Sequence, residues 1–373
     1  MSLSRAFRLA AGCALLVSCG SNPASDPPTP VADEVREIVS TLAADSMEGR
    51  RTATPGSARA ARFLAERMRA YGLEPAGDSG YFQRVSYVAV DSPEGEMLRL
   101  AGAPGSDAGP GDTDRTDTTP GDTSGIDHTS IDTTGGDGGS GRPVSDYNLV
   151  GLIRGSDPEL RDEAVVLGAH FDHVGIGKPV EGDSIYNGAD DDASGVAAVL
   201  AAARDLAKDP PRRTVVVLLT SGEEFGVLGT QWYLERPAVP LAETVADLQV
   251  EMIGRPDSLA GGAGKLWLTG FERSTMGDAL ARAGLPVVAD PRPEFNFFER
   301  SDNIVFALEG IPAHTLSSFG MHTDYHQPSD EVERIDFDHL AEAARVVSRA
   351  TRILADGPRP EWRPGGRPTP ATP

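Results

Sequence analysis

Apolar residues recur along the chain in two alternating patterns, short continuous runs and runs with helical spacing. Continuous runs predict strands buried on both faces, whereas apolar residues three or four positions apart predict helices. The predicted strands lie near 81–90, 148–153, 163–169, 214–219, 246–253, 265–269 and 313–317. The predicted helices lie near 35–43, 54–71, 193–207, 226–235, 274–283, 301–309 and 337–354. This alternation predicts an α/β fold with a mostly parallel sheet and helices on both of its faces.

Three segments show neither pattern. Residues 20–31 are rich in Pro, Ser and Asp, which predicts a flexible tether. Residues from about 102 to 143 are mainly Gly, Asp, Thr and Pro, and we predict a disordered loop because so few apolar side chains cannot offset the entropy of ordering. Its aspartates have no repeated ligand spacing, which argues against a calcium site. Residues 357–373 predict a loose tail, so the folded domain is predicted over 32–356.

The first 19 residues have the composition of an export signal. Two arginines precede an apolar run over 9–17 that is too short to span a bilayer. The run leads into Leu-Val-Ser-Cys19, which resembles the bacterial lipoprotein signal, in which the cysteine is acylated after cleavage. With Gly20 rather than an aspartate next, the resemblance implies an exported protein anchored by lipid to the periplasmic face of the outer membrane or to the cell surface. The alternative is an ordinary signal peptide cut nearby.

Composition and charge narrow the class of protein. The chain has 373 residues, 39% of them hydrophobic, and a formal net charge of −22. That size suits two domains or one large α/β domain. A chain this acidic, with no basic stripe, would repel phosphate backbones, which argues against nucleic acid as a partner. The only cysteine besides Cys19 is Cys13, inside the predicted signal peptide, so we predict a mature domain without a disulfide.

Charged or metal-binding side chains follow four of the predicted strands, at the sheet edge where ligands bind in folds of this type. They are His170 and Asp172 after the first, Glu223 and Glu224 after the second, Glu251 after the third and His326 beyond the fourth. Three consecutive carboxylates, 190–192, stand at the entrance to a predicted helix. Helix capping would account for one of them but not for three.

Several carboxylates at one sheet edge are costly unless cations neutralise them, and a mixture of imidazole and carboxylate ligands suits zinc. A single catalytic zinc takes three protein ligands. Five candidate ligands, with one carboxylate shared, make two three-ligand sites, as in hydrolases whose two metals lie about 3.5–4 Å apart. The candidates are His170, Asp191, Glu224, Glu251 and His326. The pattern therefore predicts a dinuclear metal site.

Five motifs occur in a fixed order along the chain. They are His170-Phe-Asp172, the Gly-Ala-Asp-Asp-Asp-Ala-Ser-Gly run over 188–195, Gly222-Glu-Glu224, Glu251-Met-Ile-Gly254 and Asp324-Tyr-His-Gln-Pro-Ser-Asp330. Together they resemble the co-catalytic zinc aminopeptidases typified by bacterial leucyl aminopeptidases. The resemblance runs from about residue 32 to 354, apart from the low-complexity loop. It implies one three-layer α/β domain with a central mixed sheet.

The same resemblance implies a zinc-dependent aminopeptidase with two zinc ions per chain and peptide substrates. It implies that His170 and Glu251 hold one ion, that Glu224 and His326 hold the other, and that Asp191 bridges them. Glu223 would be the general base, and Asp172 would orient His170.

The chain departs from the family pattern in two places. The position of Glu251 is more often Asp, although we expect the longer side chain to bind zinc. Some relatives insert a protease-associated β-domain before the first motif, and we expect that domain to be absent, because the low-complexity loop stands in its place without a strand pattern.

Other polar residues near the motifs have simpler interpretations. We expect His173, His314 and His322 to be surface or supporting residues, and only the family position favours His326 over His322. Ser194 and Ser221 lack the surroundings of a catalytic serine. Tyr325 could reach a developing oxyanion or pack against the site.

Two alternatives share the fold. Glutaminyl cyclases have a similar ligand set but use one zinc ion, and the ligands alone do not exclude them. A non-catalytic binding protein would be expected to lack ligands, whereas this chain keeps all of them and Glu223. The preferred N-terminal residue stays open at this point.

Overall fold

The structure, a computed structural model, describes residues 30–93, 95–102 and 141–369. The predicted signal peptide with Cys19, nearly all of the predicted tether and most of the predicted disordered loop lie outside these residues. The described part begins with a helix at Pro30, two residues before the predicted start of the folded domain at 32.

The described residues contain seven α-helices and twelve β-strands. The helices are α1 (Pro30–Leu42), α2 (Pro55–Ala70), α3 (Gly195–Lys208), α4 (Leu228–Glu235), α5 (Met276–Arg282), α6 (Asn303–Glu309) and α7 (Phe337–Asp356). The strands are β1 (Glu74–Pro75), β2 (Phe82–Ser92), β3 (Gly95–Leu100), β4 (Arg142–Ile153), β5 (Ala164–His170), β6 (Gly175–Val180), β7 (Asp183–Tyr186), β8 (Thr214–Thr220), β9 (Thr244–Val250), β10 (Leu266–Leu268), β11 (Val287–Ala289) and β12 (Ala313–Ser317). Within the described ranges, no helix has the length and apolar character needed to cross a bilayer.

Local sequence signals explain where the helices begin. Thr54 caps α2 by accepting the N–H of Ser57, and Pro55 occupies the first turn, where its missing N–H costs nothing. Asp336 caps α7 by accepting the N–H of His339. The buried side chains of α7 recur every three or four residues, so one face of this helix packs on the core.

The ten-stranded sheet is mixed, as predicted. From one edge to the other the strands run β11, β10, β12, β9, β5, β8, β4, β2 and β3, with β1 paired to β4. The four central strands β12, β9, β5 and β8 are parallel to one another. Antiparallel pairing begins where β10 meets β12 and where β4 meets β8. The predicted parallel arrangement therefore lies at the centre of the sheet.

Helices cover both faces of the sheet, which confirms the three-layer α/β fold. Alternate residues of β5 show the two layers, since Val165 packs in the larger core with α1, α2, α3 and α7, whereas Val166 packs in the smaller core with α4 and α6. Every residue of β5, β8 and β9 is buried. Burial on both faces explains why these strands read as continuous apolar runs.

The sequence patterns missed the short strands β1, β3, β6, β7 and β11. The β6 segment contains Gly, Lys and Pro and is largely exposed, so it offers no apolar run. Strand β3 has six residues, of which only Leu98 and Leu100 are buried, and among the described strands it pairs with β2 at the sheet edge. Such strands form because a neighbouring strand offers hydrogen-bond partners. The local sequence pattern carries no information about that neighbour.

The prediction of a loose tail is wrong for residues 357–369. Trp362 donates its indole N–H to the Gly310 carbonyl at 2.9 Å, and its ring lies 6.3 Å from that of Phe298 and 5.6 Å from that of His314. Arg367 donates to the Leu308 carbonyl at 2.6 Å. One aromatic ring and a few arginine contacts hold the segment without helical or strand periodicity. Residues 370–373 lie outside the described part.

Candidate active site

The predicted functional residues meet at the carboxyl ends of the four central parallel strands. His170 is the last residue of β5, Glu251 directly follows β9, and Glu223 and Glu224 follow β8. His326 lies in the loop after β12. His170, Glu223 and Glu224 are buried, whereas Glu251 and His326 are partly buried, the side chain of His326 being 10% exposed.

The three consecutive aspartates lie in a π-helical turn, Ala189–Ser194, that leads into α3. Asp190 accepts the N–H of Gly254 at 2.7 Å, and Asp192 accepts the N–H of Met252 at 2.9 Å. Both flanking aspartates therefore fix the chain that follows Glu251. Asp192 also accepts the N–H of Gly195, the first residue of α3, so it is the capping residue of the three. The middle residue, Asp191, is left to face the site.

Two groups of side chains could each hold a metal ion, and Asp191 belongs to both. One group is His170, Asp191 and Glu251, and the other is His173, Asp191, Glu224 and His326. In each group the candidate ligand atoms all lie within 4.8 Å of one another. The structure thus brings together all five ligands predicted from the sequence.

The two oxygens of Asp191 face opposite sides of the site. Its Oδ1 lies 3.3 Å from Nε2 of His170, and its Oδ2 lies 3.1 Å from Nε2 of His326. The same His326 nitrogen lies 3.2 Å from Oε2 of Glu224. A carboxylate placed in this way has the geometry of a bridge between two ligand groups.

His173, expected to be a surface or supporting residue, is fully buried in this site. Its Nδ1 lies 2.8 Å from Oε1 of Glu224 and 3.7 Å from Oδ2 of Asp191. The signal that could have indicated this burial is local, because His173 lies between the buried Asp172 and the apolar Val174, three residues after a ligand.

The other two histidines near the motifs lie elsewhere. Nε2 of His322 is 2.9 Å from Oδ2 of Asp190, outside both ligand groups. His314, within β12, contacts the Ser274 hydroxyl and the Thr269 carbonyl, each at 2.7 Å. The structure therefore separates His326 from His322, which the spacing alone did not.

The residues fit zinc. Imidazole and carboxylate are ligand types that zinc accepts, and each group supplies at least three. The Nε2 atoms of His170 and His173 are buried and have no hydrogen-bond partner among the described residues. Buried polar atoms without partners are rare, and here a metal ion would satisfy the one on His170.

Glu223 is buried beside the two ligand groups but belongs to neither. Burial raises its pKa well above the ordinary value, and the neighbouring Glu251 and Glu224 add to this rise while His170 opposes it. Burial likewise raises the pKa of Glu251 to about 7. Glu223 and Glu251 are therefore costly to ionise without added positive charge, whereas the neighbouring histidines lower the pKa of Asp191 and Glu224.

Asp172 contacts both His170 and Glu223. Its Oδ2 accepts the Thr52 hydroxyl at 2.8 Å, and its Oδ1 accepts the N–H of Glu223 at 3.3 Å. The nearest Asp172 atom to Nδ1 of His170 is the backbone carbonyl oxygen, at 3.2 Å, whereas the carboxylate is 3.8 Å away. Burial raises the pKa of Asp172 to about 7.

Arg50, which sequence reasoning missed, ties the ligand-bearing loops together. It ends the short helical turn Asp45–Arg50 and is fully buried. Its guanidinium donates to five backbone carbonyls, those of Leu42, Phe171, Asn187, Gly188 and Asp191, at 2.6–3.4 Å. It thereby joins the loop after His170 to the turn that carries Asp191.

A second arginine fixes the loop that carries His326. Arg255 pairs with Asp324 at 2.6 Å and with Asp330 at 2.9 Å, one on either side of His326. Asp330 also accepts the N–H groups of Asp190 and Asp191, at 2.9 and 3.1 Å. The acidic ends of this motif therefore hold the site together rather than bind metal.

Comparison with known proteins identifies a family for this chain. The model of peptidase family M28 matches residues 148–351, more than half of the chain. A vacuolar membrane protease from Lachancea thermotolerans is 38% identical over 102 residues, 27% of this chain and 10% of that protein. A probable leucine aminopeptidase 2 from Aspergillus fumigatus is 30% identical over 172 residues, 45% of this chain and 32% of that protein. The matches thus span about a third or less of these curated relatives.

A solved structure shares the fold at low identity. A zinc aminopeptidase from Bacillus subtilis aligns with a TM-score of 0.57 and 16% identity, over 87% of this chain and 95% of that one. The family match covers the strands and loops that supply all five predicted ligands and Glu223. On this match the chain belongs to peptidase family M28.

Proposed function

We propose that the chain is a zinc-dependent aminopeptidase that removes N-terminal residues from peptides with two zinc ions. The observation that carries this proposal is the position of Asp191, whose two oxygens face His170 and His326 in separate ligand groups. Membership of peptidase family M28 supports the activity, as does the likeness to a probable leucine aminopeptidase and to a zinc aminopeptidase.

In this proposal His170 and Glu251 hold one ion, Glu224 and His326 hold the other, and Asp191 bridges them. Glu251 replaces the more usual Asp, but its carboxylate lies within the same 4.8 Å group as His170 and Asp191. We propose that His173 positions Glu224, because its Nδ1 lies at hydrogen-bond distance from Oε1 of that ligand.

Bound zinc would polarise the scissile carbonyl and lower the pKa of the attacking water. Glu223 would take the proton of that water and pass it to the leaving amine, since it lies beside the ligands without being one of them. Tyr325 stacks on His326 with 3.9 Å between ring centroids. We propose that its hydroxyl donates to the carbonyl oxygen as that oxygen gains charge.

Neither alternative from the sequence is favoured. A glutaminyl cyclase would use one zinc ion, whereas a carboxylate shared by two ligand groups supports two. A non-catalytic binding protein would have no need for Glu223 buried beside the ligands. The family match and the aminopeptidase relatives point in the same direction.

We also propose that a lipid on Cys19 anchors the exported domain to the outer membrane or cell surface. The support is the pattern of the first 19 residues, since acylation of one N-terminal cysteine supplies more than one chain for stable attachment. One relative is itself named a vacuolar membrane protease. A native protein without lipid, whose N-terminus lies beyond Cys19, would contradict the anchor.

A hydrolysis panel with zinc analysis tests the proposed activity. The purified protein would be offered aminoacyl p-nitroanilides, the same compounds with an acetylated amine, and a peptide with N-terminal glutamine. We expect hydrolysis of the free-amine compounds only, lost with a chelator and restored by zinc. Equal cleavage of the acetylated compounds would contradict an aminopeptidase, and cyclisation of the glutamine peptide without hydrolysis would indicate the cyclase.

A further inference from the structure

A cleft with an aromatic wall opens beside the ligand Glu251. Tyr325, next to His326, begins the wall, and its ring lies 5.4 Å from that of Phe319. The ring of Phe319 lies 6.0 Å from that of Phe297, which in turn lies 5.4 Å from that of Trp267. The wall therefore leads from the proposed metal centre to the buried Trp267.

The wall carries a hydrogen-bond donor that lacks an acceptor. Trp267 is only 2% exposed, and its indole N–H has no hydrogen-bond partner among the described residues. A buried donor without a partner costs about 1–3 kcal/mol relative to a paired one. Thr269 lines the same cleft, and its hydroxyl already accepts the N–H of Thr315 at 2.9 Å, so its own hydrogen is available for donation.

A cation lies in the same cleft. Arg300 lines it, with the guanidinium 5.3 Å from the centre of the Phe297 ring. No carboxylate in the described ranges forms an ion pair with Arg300, whereas Arg255 and Arg292 nearby are both paired with aspartates. An arginine that lines a substrate cleft and forms no ion pair with a described carboxylate is available to pair with one on the substrate.

On the basis of the proposed aminopeptidase function, we propose that this cleft binds a carboxylate of the substrate. Arg300 and the indole N–H of Trp267 would donate to it, and the aromatic rings would pack against the adjoining methylene groups. The carboxylate has two sources, the side chain of an N-terminal Glu or Asp and the C-terminus of a short peptide. A leucyl side chain would leave both donors without an acceptor, and sites built to hydrogen-bond a group discriminate against substrates that lack it.

Matched substrate pairs separate the two sources. Glutamyl and glutaminyl p-nitroanilide have nearly the same shape and differ in side-chain charge, and neither has a C-terminal carboxylate. Leu-Leu and Leu-Leu amide differ only at the C-terminus. We expect kcat/KM of the zinc-loaded enzyme to favour the carboxylate member of one pair by at least about tenfold. A preference in the first pair assigns the side chain, and a preference in the second assigns the C-terminus.

Substitutions test whether the cleft causes that preference. Arg300→Gln should bring the ratio within the preferred pair close to one. Arg300→Lys should keep part of the preference, because the charge remains. Trp267→Phe should lower it by a few-fold, because the ring stays and the N–H is lost. Arg236→Gln is the matched control, since Arg236 also covers an aromatic ring but lies outside the cleft.

Two results would overturn the carboxylate site. One is equal kcat/KM within both pairs for the unchanged enzyme, and the other is a preference that survives Arg300→Gln. If the proposed aminopeptidase function is wrong, no free-amine substrate will be cleaved in the presence of zinc. That result is distinct from the two that overturn the carboxylate site.

Discussion

Two buried histidines of the same sheet, His170 and His314, differ in the charged groups around them. Burial lowers the pKa of His170, but Glu223 and the aspartates 191 and 192 raise it well above the ordinary value. No carboxylate contributes to the pKa of His314, whose hydrogen-bond partners are the neutral Ser274 hydroxyl and Thr269 carbonyl. Burial, aided by the charge of Arg273, lowers the pKa of His314 to about 4. Burial is common to both, so the carboxylates make the difference.

The surroundings of His170 therefore require cations, whereas those of His314 require none. Around His170 the buried carboxylates outnumber the nearby positive groups, and Arg50 contacts them only through backbone carbonyls. His314 is already satisfied by hydrogen bonds. Removing a carboxylate should therefore change metal content and activity, whereas replacing His314 should change only stability.

The largest effect is expected for Asp191→Asn, because this residue belongs to both ligand groups. The variant should lose most of its zinc and all measurable hydrolysis. Zinc content by mass spectrometry, together with turnover, checks this. Asp338→Asn, on the exposed side of α7, is the control and should retain both. Full zinc occupancy in Asp191→Asn would place the bridge elsewhere.

Glu223→Gln should separate catalysis from metal binding. Turnover should fall by ~10²–10⁴-fold, the usual contribution of a general base, while zinc content stays as in the unchanged protein. Glu235→Gln, at the end of α4, is the matched control outside the site. Near-normal turnover in Glu223→Gln would remove the role assigned to it.

His173→Ala should weaken one zinc ion and spare the other. Loss of a partner that positions a metal ligand typically costs 10–100-fold in affinity. His173→Asn should recover much of this affinity, because its amide can donate to Glu224 in place of Nδ1. Zinc competition titrations give both constants. If the alanine variant binds both ions as tightly as the unchanged protein, His173 has no part in the centre.

Functional residues were predictable from the sequence where they follow a regular strand or helix pattern, and were missed where they act through contacts distant in sequence. Four of the five proposed ligands were predicted because each follows a buried strand or enters a helix at one sheet edge, whereas only the family position favoured His326 over His322. Arg50 was missed because it acts on backbone carbonyls distant in sequence, which leave no side-chain pattern. Trp362 was missed because a single ring, in a segment without periodicity, holds the tail.

The smallest effect on function is expected for His314, which should affect only the stability of the folded protein at acid pH. Its pKa is about 4 in the folded protein against 6.5 as the ordinary value, so the unfolded chain takes up the proton first as pH falls. Stability should drop between pH 6.5 and 4 by about 3 kcal/mol from this group alone. His314→Gln should lack that part of the drop in urea unfolding. Identical pH profiles for the two proteins would contradict the assignment.

The most direct test of the central claim is the zinc content and geometry of the unchanged protein. Anomalous scattering from crystals grown with zinc should show two ions about 3.5–4 Å apart, with Asp191 between them. Metal analysis of the same preparation should give two zinc ions per chain. A single ion, or two ions that do not share Asp191, would contradict the dinuclear centre.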